Sequence, residues 1–255
     1  MKGLTLEVKD NIGIVTLNRP PLNTFIEETY HEFESIFKEI NERDDIRVVI
    51  LRAEGKRFSV GNDMQLFNIF ADEEVAGNYI FNSVTNGIAQ VYKTKVPVIF
   101  AGQGSVVGSA FAIACCCDFI IASEDAFFGT PEIKASIVGA SGFGSLILPQ
   151  KVVRYLALTG NPITAQEMKQ YGAVYKVVPI ENLLDSAIEL ANELKKRGPI
   201  ILKYFKEAMQ INENARLVEK YAVEGGYTMK YAKTQDFYEA LKAFKEKRDP
   251  AWKGK

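Results

Sequence analysis

Two spacings of apolar residues alternate along the first half of the chain. Short apolar runs indicate strands, and apolar residues that recur every three or four positions indicate one face of a helix. The run Val48–Leu51 is continuous, which is typical of a strand buried on both faces of a parallel sheet. These patterns predict an α/β fold with right-handed crossovers. The predicted strands lie at 12–17, 48–51, 96–101 and 119–121, followed by a short segment at 126–129, and the predicted helices at 25–42, in the stretch before 92 and in the stretch before 116.

The pattern changes after about residue 145, where most of the chain has helical spacing. The predicted elements are a short strand at 174–178 and helices at 164–171, 181–196, 199–212 and 214–247. No linker rich in Pro, Gly or Ser separates the two parts. We therefore predict an α/β core over 1–195 and a helical C-terminal region over 196–255 in the same functional unit. This region carries aromatic residues that would pack either on another subunit or on the chain's own domain: Tyr221, Tyr227, Tyr231, Phe237, Tyr238 and Phe244.

The composition and net charge of the chain argue against nucleic acid and membranes as binding partners. Among 255 residues, 31 Lys and Arg stand against 32 Asp and Glu, which gives a formal net charge of -1. A nearly neutral chain has no overall attraction for nucleic acid or for an anionic membrane surface, so neither partner is expected. The start of the sequence lacks an apolar signal segment, and no uninterrupted apolar run reaches the roughly 18 residues of a membrane span. We therefore expect a cytoplasmic protein.

Histidine and cysteine are too scarce for several kinds of catalysis. His31 is the only histidine, and it falls in a polar helical segment where a solvated position is expected. The cysteines are consecutive at 115–117, without the spacing of a zinc ligand pair or a CxxC motif, so we expect buried thiols. No metal site is predicted. Catalysis would then use carboxylates, backbone dipoles or hydroxyl groups.

Three loops could carry this chemistry. Residues 58–64 and 102–110 each contain a glycine turn between a strand and a helix, where unpaired N–H groups can stabilise an anion. If two such groups converge, they form an oxyanion hole. The third loop, 128–132, ends in Glu132 after a proline. The glycines lack both the Lys-Ser/Thr of a phosphate-binding loop and the GxGxxG spacing.

Taken together and in order, the loops and their flanking segments resemble the crotonase (enoyl-CoA hydratase/isomerase) superfamily over nearly the whole chain. The resemblance implies a (ββα)n spiral core with a helical C-terminal trimerisation region. It also implies a homotrimer or a dimer of trimers, and a coenzyme A thioester as substrate without a further cofactor. The segments that carry it are Asn18–Pro20, Phe58–Met64, Cys117–Ala122, Phe128–Glu132, Leu158–Ala165 and Ala243–Arg248.

By this resemblance, the thioester carbonyl oxygen is held by the backbone N–H groups of Asn62 and Ser109. Hydratases of the family use two glutamates, of which one matches Glu132 and the other falls on Ala112. A third acidic position, present in some members, falls on Ala140. The chain therefore keeps one of three possible carboxylates, and apolar surroundings are expected to raise the pKa of Glu132.

A single carboxylate favours one reaction over the others. Syn addition of water needs two polar groups, whereas moving a proton between two carbons of an enolate needs one base that works both ways. The sequence thus favours a Δ3,Δ2-enoyl-CoA isomerase type of reaction. An enoyl-CoA hydratase with Ser136 or Ser141 holding the water, another reaction of the family such as hydrolysis, and a catalytically weak acyl-CoA-binding homologue remain as alternatives.

The resemblance also places the acyl pocket and the nucleotide end of CoA. The predicted pocket residues are Met64, Phe67, Phe70, Phe111, Ala112 and Ala140. The candidates for binding the CoA phosphates are basic: Lys56, Arg57, Lys247 and Lys253.

Overall fold

The computed structural model describes residues 3–212, 226, 228, 229, 231–248, 250 and 251. Its main sheet has six strands in the order β1-β2-β3-β4-β6-β9. The first pair is antiparallel and the other pairs are parallel. The strands of this sheet are β1 Leu4–Lys9, β2 Ile12–Leu17, β3 Val48–Ala53, β4 Val98–Gly102, β6 Phe119–Ser123 and β9 Lys176–Val178.

A second, three-stranded sheet has the order β5-β7-β8. Strands β5 and β7 pair in parallel, and β7 pairs antiparallel with β8. An isolated bridge between Ser59 and Val106 joins β5 to the loop that follows β3. The small sheet therefore brings the two glycine loops predicted from sequence together. Its strands are β5 Ser105–Val107, β7 Phe127–Gly129 and β8 Ile163–Thr164.

Helices cover the sheets and form the C-terminal part of the chain. The α-helices are α1 Glu27–Glu42, α2 Glu73–Asn78, α3 Thr85–Tyr92, α4 Ser109–Cys115, α5 Ser141–Ile147, α6 Gln150–Thr159, α7 Ala165–Gln170, α8 Leu183–Lys195, α9 Pro199–Asn212 and α10 Gln235–Glu246. Three 3₁₀ segments (Met64–Ala71, Pro131–Ala135 and Ile180–Asn182) and a π-helical turn (Tyr79–Val84) complete the pattern. No helix among these described residues is long and apolar enough to cross a membrane.

The run Val48–Leu51 has the environment that its composition predicts. Val49 and Leu51 belong to the larger core cluster, while Val48 and Ile50 face a second cluster under α8. All four side chains have zero exposure because successive residues of a strand point to opposite faces and both faces of this sheet are covered. The prediction of a buried parallel strand is confirmed.

The predicted secondary structure needs correction at both ends of the chain. Strand β1 was not expected, although Leu4, Leu6 and Val8 alternate with polar residues as in an edge strand. A single helix over 214–247 is wrong, because a turn separates Tyr231 from α10 and the Thr234 side chain accepts a hydrogen bond from the Phe237 N–H to cap the new helix.

The C-terminal aromatic residues divide between the core and the surface. Phe237 is buried and Tyr231 packs against the main core, so these two fold back on the chain's own domain. Tyr238 and Phe244 are exposed. Tyr221 and Tyr227 lie outside the described residues.

Candidate active site

A cavity of about 570 Å³ lies where the loops after β3, β5 and β7 meet. Its volume is in the range of sites that bind small molecules. Most of the predicted site residues line this cavity: Asn62, Met64, Phe70, Ser109, Ala112, Glu132 and Ala140.

Two glycines bring the first two loops into contact. Gly61 and Gly108 both have positive φ angles, of +87° and +61°, which a residue with a side chain rarely adopts. A Cβ atom on Gly61 would lie 3.2 Å from the Val107 carbonyl oxygen, so the two backbones approach closely. This contact brings Asn62 and Ser109 together, although they are 47 positions apart in sequence.

The backbone N–H groups of Asn62 and Ser109 are both available to a ligand. Neighbouring groups are paired: the Gly108 N–H donates to the Gly129 carbonyl at 3.0 Å, and the Asp63 N–H donates to the Phe25 carbonyl at 2.9 Å. The Asn62 and Ser109 amides make no such bond within the described part of the chain. Ser109 is also the first residue of α4, where the helix leaves its N–H groups unpaired. These two amides can therefore stabilise negative charge on an oxygen.

Glu132 lies beside the second amide. It belongs to the 3₁₀ segment that Pro131 opens, and it is half-buried. A Cβ atom on Gly108 would lie 3.2 Å from Glu132 Oε1, and one on Gly139 would lie 3.6 Å from Glu132 Cγ. The two glycines thus leave the space that the carboxylate occupies next to Ser109. A base at this place can take a proton from the carbon next to a bound carbonyl group.

Elsewhere the cavity wall is poor in acidic groups. Ala112 and Ala140 line it with methyl groups, as expected from sequence. Asp63 also lines it, but its carboxylate accepts a hydrogen bond from the Gln65 N–H at 2.9 Å and so caps the following 3₁₀ segment. Within the described cavity wall, Glu132 is therefore the carboxylate that lies beside the free N–H groups of Asn62 and Ser109.

Sequence analysis missed a cluster of hydroxyl groups behind the two amides. The Tyr30 hydroxyl donates to Asn62 Oδ1 and lies 2.5 Å from Ser109 Oγ. The Ser109 hydroxyl donates to Asn62 Oδ1 at 3.1 Å, and the Tyr79 hydroxyl lies 3.5 Å from the same oxygen. Tyr30 has the spacing of an apolar-face residue in α1, so its polar role leaves no signal in the sequence.

Some predicted pocket and water-binding residues lie elsewhere. Phe111 is fully buried and packs against Gly144 of α5 instead of lining the cavity. The reason is helical geometry, since Ser109 and Ala112 are three positions apart and share a face of α4, whereas Phe111 points away from that face. Neither Ser136 nor Ser141 belongs to the described cavity wall, so the cavity gives no support to the alternative in which one of them holds a water molecule.

The basic residues near the cavity also differ from those expected. Arg19 and Lys134 line it, and neither was predicted as a CoA contact. Lys56 and Lys247 are exposed and Arg57 is half-buried, all three outside the described cavity wall. Lys253 lies outside the described residues, and so does the side chain of Phe67, whose backbone belongs to the 3₁₀ segment Met64–Ala71.

His31 and the three cysteines lie where the sequence predicts. His31 is exposed and lies 3.9 Å from Glu27 on the surface of α1. The three cysteines are buried with free thiols. Among the described residues, no group of three or more His, Cys, Asp or Glu side chains could hold a metal ion.

Comparison with known proteins assigns the chain to a family. The family model described as enoyl-CoA hydratase/isomerase matches residues 7–255. A carnitinyl-CoA dehydratase from Salmonella enteritidis is 33% identical over 251 residues, covering 94% of each chain. A hydrolase of (7aS)-7a-methyl-1,5-dioxo-2,3,5,6,7,7a-hexahydro-1H-indene-carboxyl-CoA from Rhodococcus jostii is 32% identical over 219 residues, covering 86% of this chain and 84% of the relative. An enoyl-CoA hydratase structure from Bacillus anthracis superposes with a TM-score of 0.77 and 29% identity over the full length of both chains.

The fold and these matches define a crotonase-like enzyme. The chain belongs to the enoyl-CoA hydratase/isomerase family. The predicted family and the predicted α/β, crotonase-like fold are confirmed, whereas the trimerisation role of the C-terminal region stays a prediction.

Proposed function

We propose that this enzyme moves the double bond of a 3-enoyl-CoA to C2, a Δ3,Δ2-enoyl-CoA isomerase reaction. One observation carries the proposal: Glu132 lies beside the Ser109 amide, while Ala112 and Ala140 present methyl groups to the same cavity. A single base next to an oxyanion hole suits proton transfer between two carbons better than the addition of water.

The reaction divides into two proton transfers. Glu132 removes a proton from C2, and the electron pair delocalises into the thioester, so that negative charge develops on the carbonyl oxygen. The N–H groups of Asn62 and Ser109 stabilise this enolate, and each such donor is typically worth about 10²–10³ in rate. Glu132 then returns the proton to C4, which leaves the double bond between C2 and C3.

The cavity wall suits a substrate with an apolar chain and an anionic end. Phe70, Ile80 and Ile88 give it apolar side chains that can contact the acyl group. Arg19 and Lys134 give it positive charge, which suits the phosphates of CoA. We extend the proposal to Lys56, Arg57, Lys247 and Lys253 as outer contacts of the nucleotide. No cofactor is needed in this reaction besides the CoA thioester itself.

A second candidate is an enoyl-CoA hydratase. Asn62, Ser109 and Tyr79 all line the cavity, and their side chains carry polar groups that could hold a water molecule. A relative named carnitinyl-CoA dehydratase points in the same direction. In this case a hydrogen-bonded cluster would do the work of the glutamate that Ala112 replaces.

Incubation with two thioesters separates the candidates. The purified protein is mixed with 3-hexenoyl-CoA and, separately, with crotonyl-CoA, and the products are identified by chromatography and mass spectrometry. An isomerase converts 3-hexenoyl-CoA to an isomer of the same mass, whereas hydration of crotonyl-CoA adds the mass of one water. Hydration without isomerisation would favour the second candidate. Binding of both thioesters without reaction would instead indicate a catalytically weak acyl-CoA-binding homologue.

We also propose a cytoplasmic homotrimer or dimer of trimers. Helix α9 supports the oligomer because it exposes a row of large apolar side chains, which monomers rarely leave in water. These residues are Ile200, Ile201, Tyr204, Phe205 and Met209. Light scattering coupled to size-exclusion chromatography measures the number of subunits.

A further inference from the structure

Tyr30 connects the side chains of the two residues whose amides form the proposed oxyanion hole. Its hydroxyl donates to Asn62 Oδ1 and lies 2.5 Å from Ser109 Oγ. The Ser109 hydroxyl in turn donates to Asn62 Oδ1 at 3.1 Å, so the three side chains form one hydrogen-bonded cluster. Asn62 and Ser109 belong to different loops, so Tyr30 on α1 bridges two segments that are not continuous in sequence.

Tyr30 itself is held firmly in place. Its side chain has zero exposure, and its ring centroid lies 5.4 Å from that of Phe25 and 6.1 Å from that of Tyr79. The backbone is also fixed, because a Cβ atom on Gly87 of α3 would lie 2.7 Å from the Tyr30 carbonyl oxygen. A hydroxyl on such a support can hold the neighbouring loops at a fixed separation.

We propose that Tyr30 is a positioning residue that sets the distance and direction of the Asn62 and Ser109 amides. This inference rests on the proposed enolate chemistry. An oxyanion hole stabilises charge without reorganising only if its donors are already aimed at the oxygen, so a device that fixes both loops acts on the enolate more than on the ground state.

The chemistry of the hydroxyl suits this role. Burial raises the pKa of Tyr30, so the phenol stays protonated and remains a hydrogen-bond donor at any pH where the enzyme is assayed. Loss of the hydroxyl would leave the Asn62 side chain with the Ser109 and Tyr79 hydroxyls as partners. The loops would then keep their fold but lose one bridge between them.

Two CoA ligands distinguish positioning from a purely structural role. Acetoacetyl-CoA has an acidic C2 and can present an enolate oxygen to the proposed oxyanion hole, whereas S-butyl-CoA is a thioether without a carbonyl oxygen and cannot use the hole. Dissociation constants for both are measured with wild type, with Tyr30→Phe and with Tyr155→Phe, a control that removes an exposed hydroxyl on α6. We expect Tyr30→Phe to raise the dissociation constant of acetoacetyl-CoA about tenfold or more and that of S-butyl-CoA by less than about twofold. The control variant should bind both ligands as wild type does.

Other outcomes overturn the inference in distinguishable ways. Suppose that wild type binds acetoacetyl-CoA more tightly than S-butyl-CoA and that Tyr30→Phe keeps the same ratio of dissociation constants. Tyr30 then does not position the hole, whether the variant binds both ligands as wild type does or binds both equally more weakly. If wild type has no preference, the oxyanion hole and the proposed function fail together. Should Tyr30→Phe not fold, Ser109→Ala removes one partner of the hydroxyl and must reduce the same preference; an unchanged ratio there also rejects the role.

Discussion

Gly108 and Glu132 are matched in shape. A Cβ atom on Gly108 would lie 3.2 Å from Glu132 Oε1, closer than most real contacts of a Cβ atom. Gly108 also has φ +61° and ψ -126°, which brings the chain into α4 with Ser109 as its first residue. One residue thus provides both the backbone turn that presents the Ser109 amide and the space for the carboxylate beside it.

Replacement of Gly108 by alanine should therefore impair catalysis as well as folding. The added methyl group displaces the carboxylate, and the positive φ angle adds strain of about 1–3 kcal/mol. We expect kcat to fall by about tenfold or more, since small misplacements of reacting groups are costly. Gly55→Ala is the matched control, because Gly55 has φ +90° with no heavy atom within 4 Å of the added Cβ. The control should lose stability but keep kcat; equal kcat values in both variants would contradict the proposed matching.

Glu132→Gln should abolish turnover and leave binding of CoA thioesters within a few-fold. The amide has nearly the same shape as the carboxylate but cannot accept the proton from C2, and general base catalysis is typically worth about 10²–10⁴ in rate. Initial rates with 3-hexenoyl-CoA and the dissociation constant of hexanoyl-CoA measure the two quantities. Glu124→Gln changes an exposed carboxylate after β6 and serves as control. Turnover retained in Glu132→Gln would reject Glu132 as the base.

Substitution of Ala112 by glutamate should restore the second carboxylate of a hydratase. Ala112 lines the cavity on the same face of α4 as Ser109, so Ala112→Glu would place a second carboxylate near Glu132. We expect hydration of crotonyl-CoA to appear or increase, at a cost of about 1–3 kcal/mol from the larger buried side chain. Ala112→Gln has the same size without the charge and should gain no hydration. A folded Ala112→Glu variant that binds crotonyl-CoA without hydrating it would show that the second carboxylate is not the limiting group.

The elements that the sequence predicts well are those whose periodicity is determined by burial. Val48–Leu51 is apolar throughout because both faces of its strand are covered, and this can be read without a structure. Strand β1 also has an alternating pattern, but its pairing with β2 depends on a turn between two short segments. The start of α10 at Thr234 depends on one side-chain cap, which is a weaker signal in the sequence than the regular spacing of apolar residues.

The candidate site shows a different limit. Backbone amides carry the proposed oxyanion hole, and an amide is present at every residue except proline, so Asn62 and Ser109 could be predicted only through the resemblance to a family. The role of Tyr30 could not be predicted in either way. Its partners lie 32 and 79 positions further along the chain, and its place in α1 looks like any apolar position.

The three cysteines should be inert in the folded protein. Burial raises the pKa of Cys115, Cys116 and Cys117 well above that of a free thiol, so little thiolate forms at mildly alkaline pH. Because the thiolate is the reactive form, we expect iodoacetamide to label the native protein very slowly and the protein in guanidinium chloride rapidly at all three sites. Mass spectrometry of the intact chain over time counts the labels. Rapid labelling of the native chain would contradict the described burial.

Lys206 joins α9 to the main sheet and should contribute more to stability than any surface ion pair. Its side chain is 5% exposed, and its ammonium group lies 2.6 Å from Asp118 Oδ2 and donates to the Val96 carbonyl at 3.1 Å. Lys206→Met should lower the free energy of unfolding by about 1.5–3 kcal/mol, because it removes the hydrogen bonds that the buried ammonium group makes to the Asp118 carboxylate and the Val96 carbonyl. Lys176→Met removes a pair with Glu189 in which both side chains are well exposed, and should cost less than about 1 kcal/mol. Urea unfolding followed by circular dichroism compares the two variants, and equal losses would show that the contacts of Lys206 stabilise the fold no more than a surface ion pair does.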